Sequence, residues 1–85
     1  MMVSNSLPTQ PREWLTDLRR AKGLTHRGLA KILGVSHVTV LHWEQGKRSP
    51  RQDMVYGPLA AALGSEVVLR FEAEWRTRAA ERMTR

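Results

Sequence analysis

The basic side chains of this sequence are concentrated in one stretch, and that stretch is where its chemistry is most readable. The net charge is +6 over 85 residues, but residues 19–51 alone carry +7 and the rest sums to −1. One acid, Glu44, stands there among eight basic residues: Arg19, Arg20, Lys22, Arg27, Lys31, Lys47, Arg48 and Arg51. Clustered Lys and Arg side chains favour a polyanion, whose phosphate groups they neutralise. A solvated run of charge is the simpler alternative.

Three histidines lie in or near the same stretch, at positions 26, 37 and 42. His37 and His42 are five residues apart, which on a helix separates them by roughly 140°. Zinc-binding histidines on one helix need a spacing of four, so that both rings face the same ion. We therefore predict no metal site and no cofactor. An imidazole can instead form a single hydrogen bond to a base edge or a phosphate.

The residues of an active site are missing from the sequence. It has no cysteine, no GxSxG motif, no phosphate-binding loop and only eight carboxylates, none in a suggestive pair. We therefore expect the protein not to be an enzyme. No run of 18 apolar residues occurs and the N-terminus does not resemble a secretion signal, so we expect no membrane contact and a cytoplasmic location.

Two short helical patterns separated by a turn must position the basic and histidine side chains. Gly34 can adopt the left-handed conformation that ends the first helix, and Ser36 can cap the second. The small side chain of Ala30 would allow the two helices to cross closely. This arrangement predicts a helix-turn-helix, whose inward residues are Leu29, Ala30, Leu33, Val40 and Trp43.

Further elements flank this pair. Residues 1–10 are polar and predict a flexible arm. From about Pro11 to Lys22, apolar residues recur at helical spacing, and Gly23 ends that helix. After Pro50 we predict a short helix in the sequence PLAAALG, with Pro58 in its first turn and Gly64 at its end.

The spacing of many residues across this region is similar to that of one known family. The matching positions are Leu18-Arg19, Gly23-Leu24-Thr25, Leu29-Ala30, Leu33-Gly34-Val35-Ser36, Val40, Trp43-Glu44, Gly46 and Ser49-Pro50. Over residues 11–64 the chain resembles the Xre/Cro-type helix-turn-helix regulators of phages and bacteria. The resemblance implies a mainly α, lambda-repressor-like domain of about five helices that binds double-stranded DNA as a dimer. It also implies a structural ion pair between Arg19 and Glu44. Compared with the commonest spacing in the family, this chain has about one extra residue between Pro50 and Gly64.

The resemblance and the helical geometry together assign roles to individual residues. The recognition helix spans about His37 to Gln45, and its outward residues would read bases: His37, Val38, Thr39, Leu41 and His42. Helix N-termini and the basic residues after the recognition helix suit phosphates. That set is Thr25, His26, Arg27, Ser36, Gln45, Lys47, Arg48 and Arg51. At the outward positions this chain has histidine where the family often has Gln or Arg.

The segment after Gly64 fits two structures. Its alternating apolar residues predict a β-strand over about residues 66–72, followed by a helix or frayed tail from about Ala73. A lone strand needs a partner, and a second subunit would supply it in a two-fold ribbon that buries Val67, Leu69 and Phe71. Apolar residues at steps of four indicate a helix instead, with a helical dimer seam. Alternatively, the apolar face folds back on its own domain. We divide the chain into an arm (1–10), a DNA-binding domain (11–64) and a dimerisation segment (65–85).

These observations leave three functional hypotheses. The first is a homodimeric repressor that occupies a pseudo-palindromic operator. The second is an antitoxin-type regulator, which would also bind a toxin protein through its C-terminal segment. The third is an interaction module that has kept the fold and lost DNA binding.

Overall fold

The computed structural model describes residues 10–83, with side chains to residue 81, and shows a mainly helical domain. Of the predicted arm, only Gln10 falls within this range. We number five helices in chain order: α1 (Glu13–Ala21), α2 (His26–Leu33), α3 (His37–Gln45), α4 (Gln52–Met54, Val55–Leu59 and Ala60–Leu63 in succession) and α5 (Ser65–Met83).

Side-chain caps fix the ends of the helix-turn-helix formed by α2 and α3. Thr25 Oγ1 accepts a hydrogen bond from the Gly28 N–H (2.9 Å), and Ser36 Oγ accepts one from the Thr39 N–H (3.1 Å). Between them, Gly34 adopts φ 74°, a conformation that other residues rarely take. A Cβ on Gly28 would lie 3.3 Å from Thr25 Oγ1, which gives a reason for a glycine inside α2.

Helix α4 differs from its prediction. It begins at Gln52, six residues before Pro58, and its middle segment Val55–Leu59 is π-helical. The Ala60 N–H accordingly reaches back five residues to the Val55 carbonyl. A π-helical turn accommodates one additional residue in a helix, and Pro58 has no N–H to leave unpaired. The expectation of one additional residue between Pro50 and Gly64 is consistent with this π-helical turn.

Helix α5 replaces the predicted strand, and no strand occurs within residues 10–83. The strand over residues 66–72 and the β-ribbon built from it are therefore wrong. The four-residue spacing prevails because it gives one helical face that packs onto the rest of the domain. Phe71 meets Trp14 edge-on with ring centroids 5.1 Å apart, and Trp75 meets Tyr56 at 5.8 Å.

One hydrophobic core joins all five helices and crosses the domain boundary predicted after Gly64. Its members are Leu15, Leu29, Ala30, Leu33, Val40, Trp43, Val55, Leu59, Leu63, Val67 and Phe71. Each is less than one-tenth exposed. Because Val40 and Trp43 belong to this core, α3 is held with one side fixed inward and the opposite side at the surface.

Candidate nucleic-acid interface

The outward face of α3 is centred on three residues. Val40, Trp43 and Glu44 are buried, whereas Val38 is 43% exposed. His42 and Gln45 follow Val38 at steps of four and three, which places them on the same face, and both are partly exposed. Gln45, predicted as a phosphate ligand, thus aligns with predicted base readers.

The other predicted base readers flank this line. His37, Thr39 and Leu41 are all partly exposed. Thr39 Oγ1 lies 3.0 Å from Ser36 Oγ, so its hydroxyl is turned toward the cap of α3. The structure therefore places Thr39 at the margin of the face, beside the helix N-terminus.

Arg19 and Glu44, predicted as an ion pair, lie in contact. Arg19 Nε is 2.7 Å from Glu44 Oε2, and both side chains are about 5% exposed. Arg19 also donates to the Leu24 carbonyl (2.7 Å), and Thr16 Oγ1 donates to Glu44 Oε1 (2.6 Å). These bonds tie α1 and the start of α2 to the inward side of α3.

The same contacts set the acidity of Glu44. Burial by itself raises the pKa of this carboxyl, because it disfavours the charged form. Hydrogen bonds from Arg19, Thr16 and His26 act in the opposite direction and prevail, so that the Glu44 pKa lies below its ordinary value. The surroundings of Glu44 therefore favour its charged form.

His26, predicted as a phosphate ligand, has one ring nitrogen already engaged. His26 Nε2 lies 3.0 Å from Glu44 Oε1 and 3.3 Å from Arg19 Nη2. A carboxylate oxygen can only accept, so Nε2 carries a hydrogen and donates it to Glu44. Phosphate oxygens only accept hydrogen bonds, so Nδ1 of His26 can donate to one only when the ring carries a hydrogen on both nitrogens.

The predicted phosphate ligands form two groups at the ends of the helix-turn-helix. Arg27 on α2 is exposed, as are the cap residues Thr25 and Ser36, whose hydroxyl oxygens hold the helix ends. Lys47, Arg48 and Arg51 are exposed in the loop after α3. The N–H groups of Lys47 and Arg48 both donate to the His42 carbonyl (3.0 and 3.3 Å). That loop is therefore folded back over the end of α3, in a defined position.

Arg12 is a buried cation that the sequence analysis missed. Its side chain is 5% exposed and its Nε lies 2.8 Å from Glu74 Oε2 on α5. Its guanidinium also donates to the Trp43 carbonyl, the Arg48 carbonyl (3.0 Å) and Ser49 Oγ (2.7 Å). Arg12 thus joins the start of α1, the end of α3, the basic loop and α5. Its position immediately before an amphipathic helix was the available signal, but its partner is 62 residues away.

The residues predicted to form the dimer ribbon do not share one surface. Val67 and Phe71 are completely buried inside the single chain, where Phe71 lies beneath the Arg12 guanidinium at 5.0 Å. Both assignments are corrected, because a residue in the core of one subunit cannot cover another. Leu69 is 61% exposed, so it is the member of the three that a partner could contact.

Searches of the described residues for a metal cluster and for a membrane span found neither. No group of three or more His, Cys, Asp or Glu side chains is arranged to hold an ion within that range. No helix there is both long enough and apolar enough to cross a membrane.

Comparison with known families gives one match. The sequence profile of a family described as a helix-turn-helix domain matches residues 13–73, from the start of α1 into α5. Comparisons with curated proteins and with solved structures gave no match. The matched range covers the two capped helices, the Arg19–Glu44 pair and part of the helix that replaced the predicted strand. The chain belongs to the helix-turn-helix domain family.

Proposed function

We propose that this protein is a sequence-specific regulator of the Xre/Cro type that binds double-stranded DNA through α3. The observation that carries the proposal is the partly exposed outward face of α3, together with exposed Arg27 in the first turn of α2 and exposed Lys47, Arg48 and Arg51 in the loop after α3. The major groove of DNA admits an α-helix, and basic residues beside that helix can reach the phosphates on both edges.

The chemistry of the outward face suggests how bases are read. The exposed side chain of Val38 suits the methyl group of thymine, and Gln45 can pair with adenine through two hydrogen bonds. His42 supplies one hydrogen bond, for example to guanine N7 or O6. His37, Thr39 and Leu41 lie where they would meet flanking positions.

Phosphate contacts would set the register of α3 in the groove. The N-terminus of α2, with Thr25 and Arg27, suits the phosphates on one edge, and His26 can add a hydrogen bond from Nδ1 when its ring is protonated. Lys47, Arg48 and Arg51 suit those on the other. Such contacts orient the protein without reading sequence, and they make affinity depend on salt.

Dimeric binding to a pseudo-palindromic operator completes the proposal. Two copies would place their α3 helices about 34 Å apart, which is one turn of DNA. The simplest mechanism for such a regulator is occupancy: a bound dimer represses by excluding polymerase or another regulator from an overlapping site. This mechanism assigns the protein to the cytoplasm.

Selection of bound sequences from a random duplex library at about 150 mM salt tests the proposal. We expect a symmetric motif with half-site centres about 10 base pairs apart. If a dimer contacts about six phosphates, the slope of log K against log salt should be near −5. An enriched motif without symmetry would contradict the dimer, and a slope near zero would contradict DNA binding itself.

A further inference from the structure

We propose that α5 belongs to the DNA-binding surface and that Arg78 supplies a phosphate contact outside the helix-turn-helix. This inference rests on the proposed function and extends it to the helix that the sequence assigned to dimerisation. The ligand class is the sugar-phosphate backbone beside the half-site that α3 enters.

The first step is that α5 is fastened to the basic loop. Arg12 holds Glu74 of α5 through two hydrogen bonds (2.8 and 3.0 Å), and the same guanidinium donates to Ser49 Oγ and the Arg48 carbonyl. A guanidinium forks in a fixed plane, so these bonds define where α5 lies relative to the loop. Three segments distant in sequence are thereby held together around one buried cation.

The second step is the position of Arg78, one helical turn beyond Glu74. Arg78 Nη2 lies 3.4 Å from Ser49 Oγ, in the loop that carries Lys47 and Arg48. Its side chain is 55% exposed. The guanidinium of Arg78 is thus adjacent to the residues already proposed to contact phosphate, although it is 27 residues beyond the last of them in the sequence, Arg51.

The third step is the local charge. The carboxylate of Glu74 lies 3.9 Å from Arg78 Nη2, which is too far for a hydrogen bond. The negative charge of Glu74 is paired more closely with Arg12, at 2.8 Å. Arg70 and Glu81 line the same groove as these three side chains, and the five charged side chains together carry one net positive charge. An exposed guanidinium with donors to spare is the side chain that phosphate oxygens bind best, often through two bonds.

A backbone contact from α5 would lengthen the footprint without changing which bases are read. Phosphate contacts add affinity and fix orientation, whereas base contacts add specificity. Loss of Arg78 should therefore weaken specific and non-specific duplexes alike. This expectation separates Arg78 from residues on the outward face of α3, such as Gln45.

The test compares salt-dependent DNA binding of Arg78→Ala with two matched variants. Arg76→Ala removes the same charge from the same helix, but its exposed side chain lies about 200° around the axis. Arg48→Ala removes a proposed phosphate contact in the loop. We expect Arg78→Ala and Arg48→Ala each to lower affinity on the order of fivefold and to reduce the salt slope by about 1 per subunit, with little change in Arg76→Ala.

The outcomes separate the two proposals. If the wild-type protein shows no salt-dependent binding, the proposed function fails. If the wild type binds and Arg48→Ala weakens it, but Arg78→Ala behaves as Arg76→Ala, the role of Arg78 alone is overturned. Circular dichroism of each variant checks that α5 is still formed.

A second measurement does not depend on affinity. Because the sequence has no cysteine, Arg78→Cys and Arg76→Cys each provide a single thiol for a photo-crosslinking reagent. We expect crosslinks to duplex DNA from position 78 at a yield comparable with an Arg48→Cys control, and a much lower yield from position 76. Equal yields from positions 76 and 78 would overturn the inference.

Discussion

Two buried arginines hold α3, and they differ in how far away in the sequence their acidic partners lie. Arg19 lies inside the helix-turn-helix, and its partner Glu44 is only 5% exposed. Arg12 lies at the edge of the domain, and its partner Glu74 is 27% exposed. Arg19 therefore fixes α3 against its nearest neighbours in an almost fully buried setting, whereas Arg12 fastens α5 through a partner that is partly exposed.

We expect burial of the acidic partner, more than the number of hydrogen bonds, to set the cost of losing each arginine. A carboxylate left alone in a buried site pays a large desolvation penalty, but a partly exposed one can be rehydrated. Arg12 donates five hydrogen bonds and Arg19 donates three, yet we expect the loss of Arg12 to cost less.

The largest effect is expected for Arg19→Ala, which leaves Glu44 buried without its closest cation. We expect the free energy of unfolding to fall by about 3 kcal/mol, at the lower end for a broken buried pair because Thr16 and His26 still hydrogen-bond to Glu44. Urea denaturation measures this change. The exposed neighbour Arg20 provides the matched variant, Arg20→Ala, which should change stability by about 0.5 kcal/mol or less.

A double-mutant cycle with Glu44→Ala sharpens this result. Removing both partners removes the unpaired charge as well, so the double variant should be more stable than the sum of the single changes predicts. Strictly additive losses would show that Arg19 and Glu44 are not coupled.

A smaller effect is expected for Arg12→Ala. The free energy of unfolding should fall by about 2 kcal/mol, because water can replace part of what Glu74 loses. Hydrogen exchange should accelerate in α5, since the residue fastening that helix to the loop is gone. Arg76→Ala is the matched variant: Arg76 is an exposed arginine of the same helix, and such surface substitutions change stability little. A larger loss for Arg12→Ala than for Arg19→Ala would reverse the comparison.

The same contrast shows what the sequence could predict. The helix-turn-helix could be predicted because its signals are local. Thr25 and Ser36 cap α2 and α3 by accepting hydrogen bonds from backbone N–H groups three residues later, and Gly34 ends α2. The partnership of Arg19 with Glu44 came from a family resemblance in which both positions are recognisable. The Arg12–Glu74 pair has no local signal, because its partners are 62 residues apart and their meeting depends on how α5 packs.

The segment after Gly64 shows why local pattern failed elsewhere. Val67 and Phe71 fit both an alternating strand and a four-residue helical repeat, so periodicity over this short stretch could not decide. Packing did: as a helix, the segment buries both residues against the core of its own domain. Tertiary contacts of this kind regularly override the strand preference of β-branched and aromatic residues.

The residues of the candidate site could likewise be predicted from the sequence only in part. The outward face of α3 follows from helical geometry once Val40 and Trp43 are known to point inward. The engagement of His26 with Glu44 does not, since it depends on the angle at which α2 meets α3. Arg78 was not identified either, because the sequence gives no indication that α5 turns back beside Ser49.

The smallest expected effect is on the pH dependence of the free energy of unfolding. It tests whether the charged form of Glu44 is stabilised by its buried partners. Because the Glu44 pKa is lowered in the fold, the unfolded chain binds more protons in acid, and stability rises with pH there. This contribution is fully present above the unfolded value of about 4.3 and is lost as pH falls through the folded pKa. In urea denaturation at pH 3 to 6, Glu44→Gln should therefore be less stable than wild type at pH 6, with the gap narrowing toward pH 3. Glu66→Gln, which alters an exposed carboxylate, should keep the wild-type slope. A gap that stays constant with pH would mean that Glu44 contributes through shape and hydrogen bonding rather than through its charge.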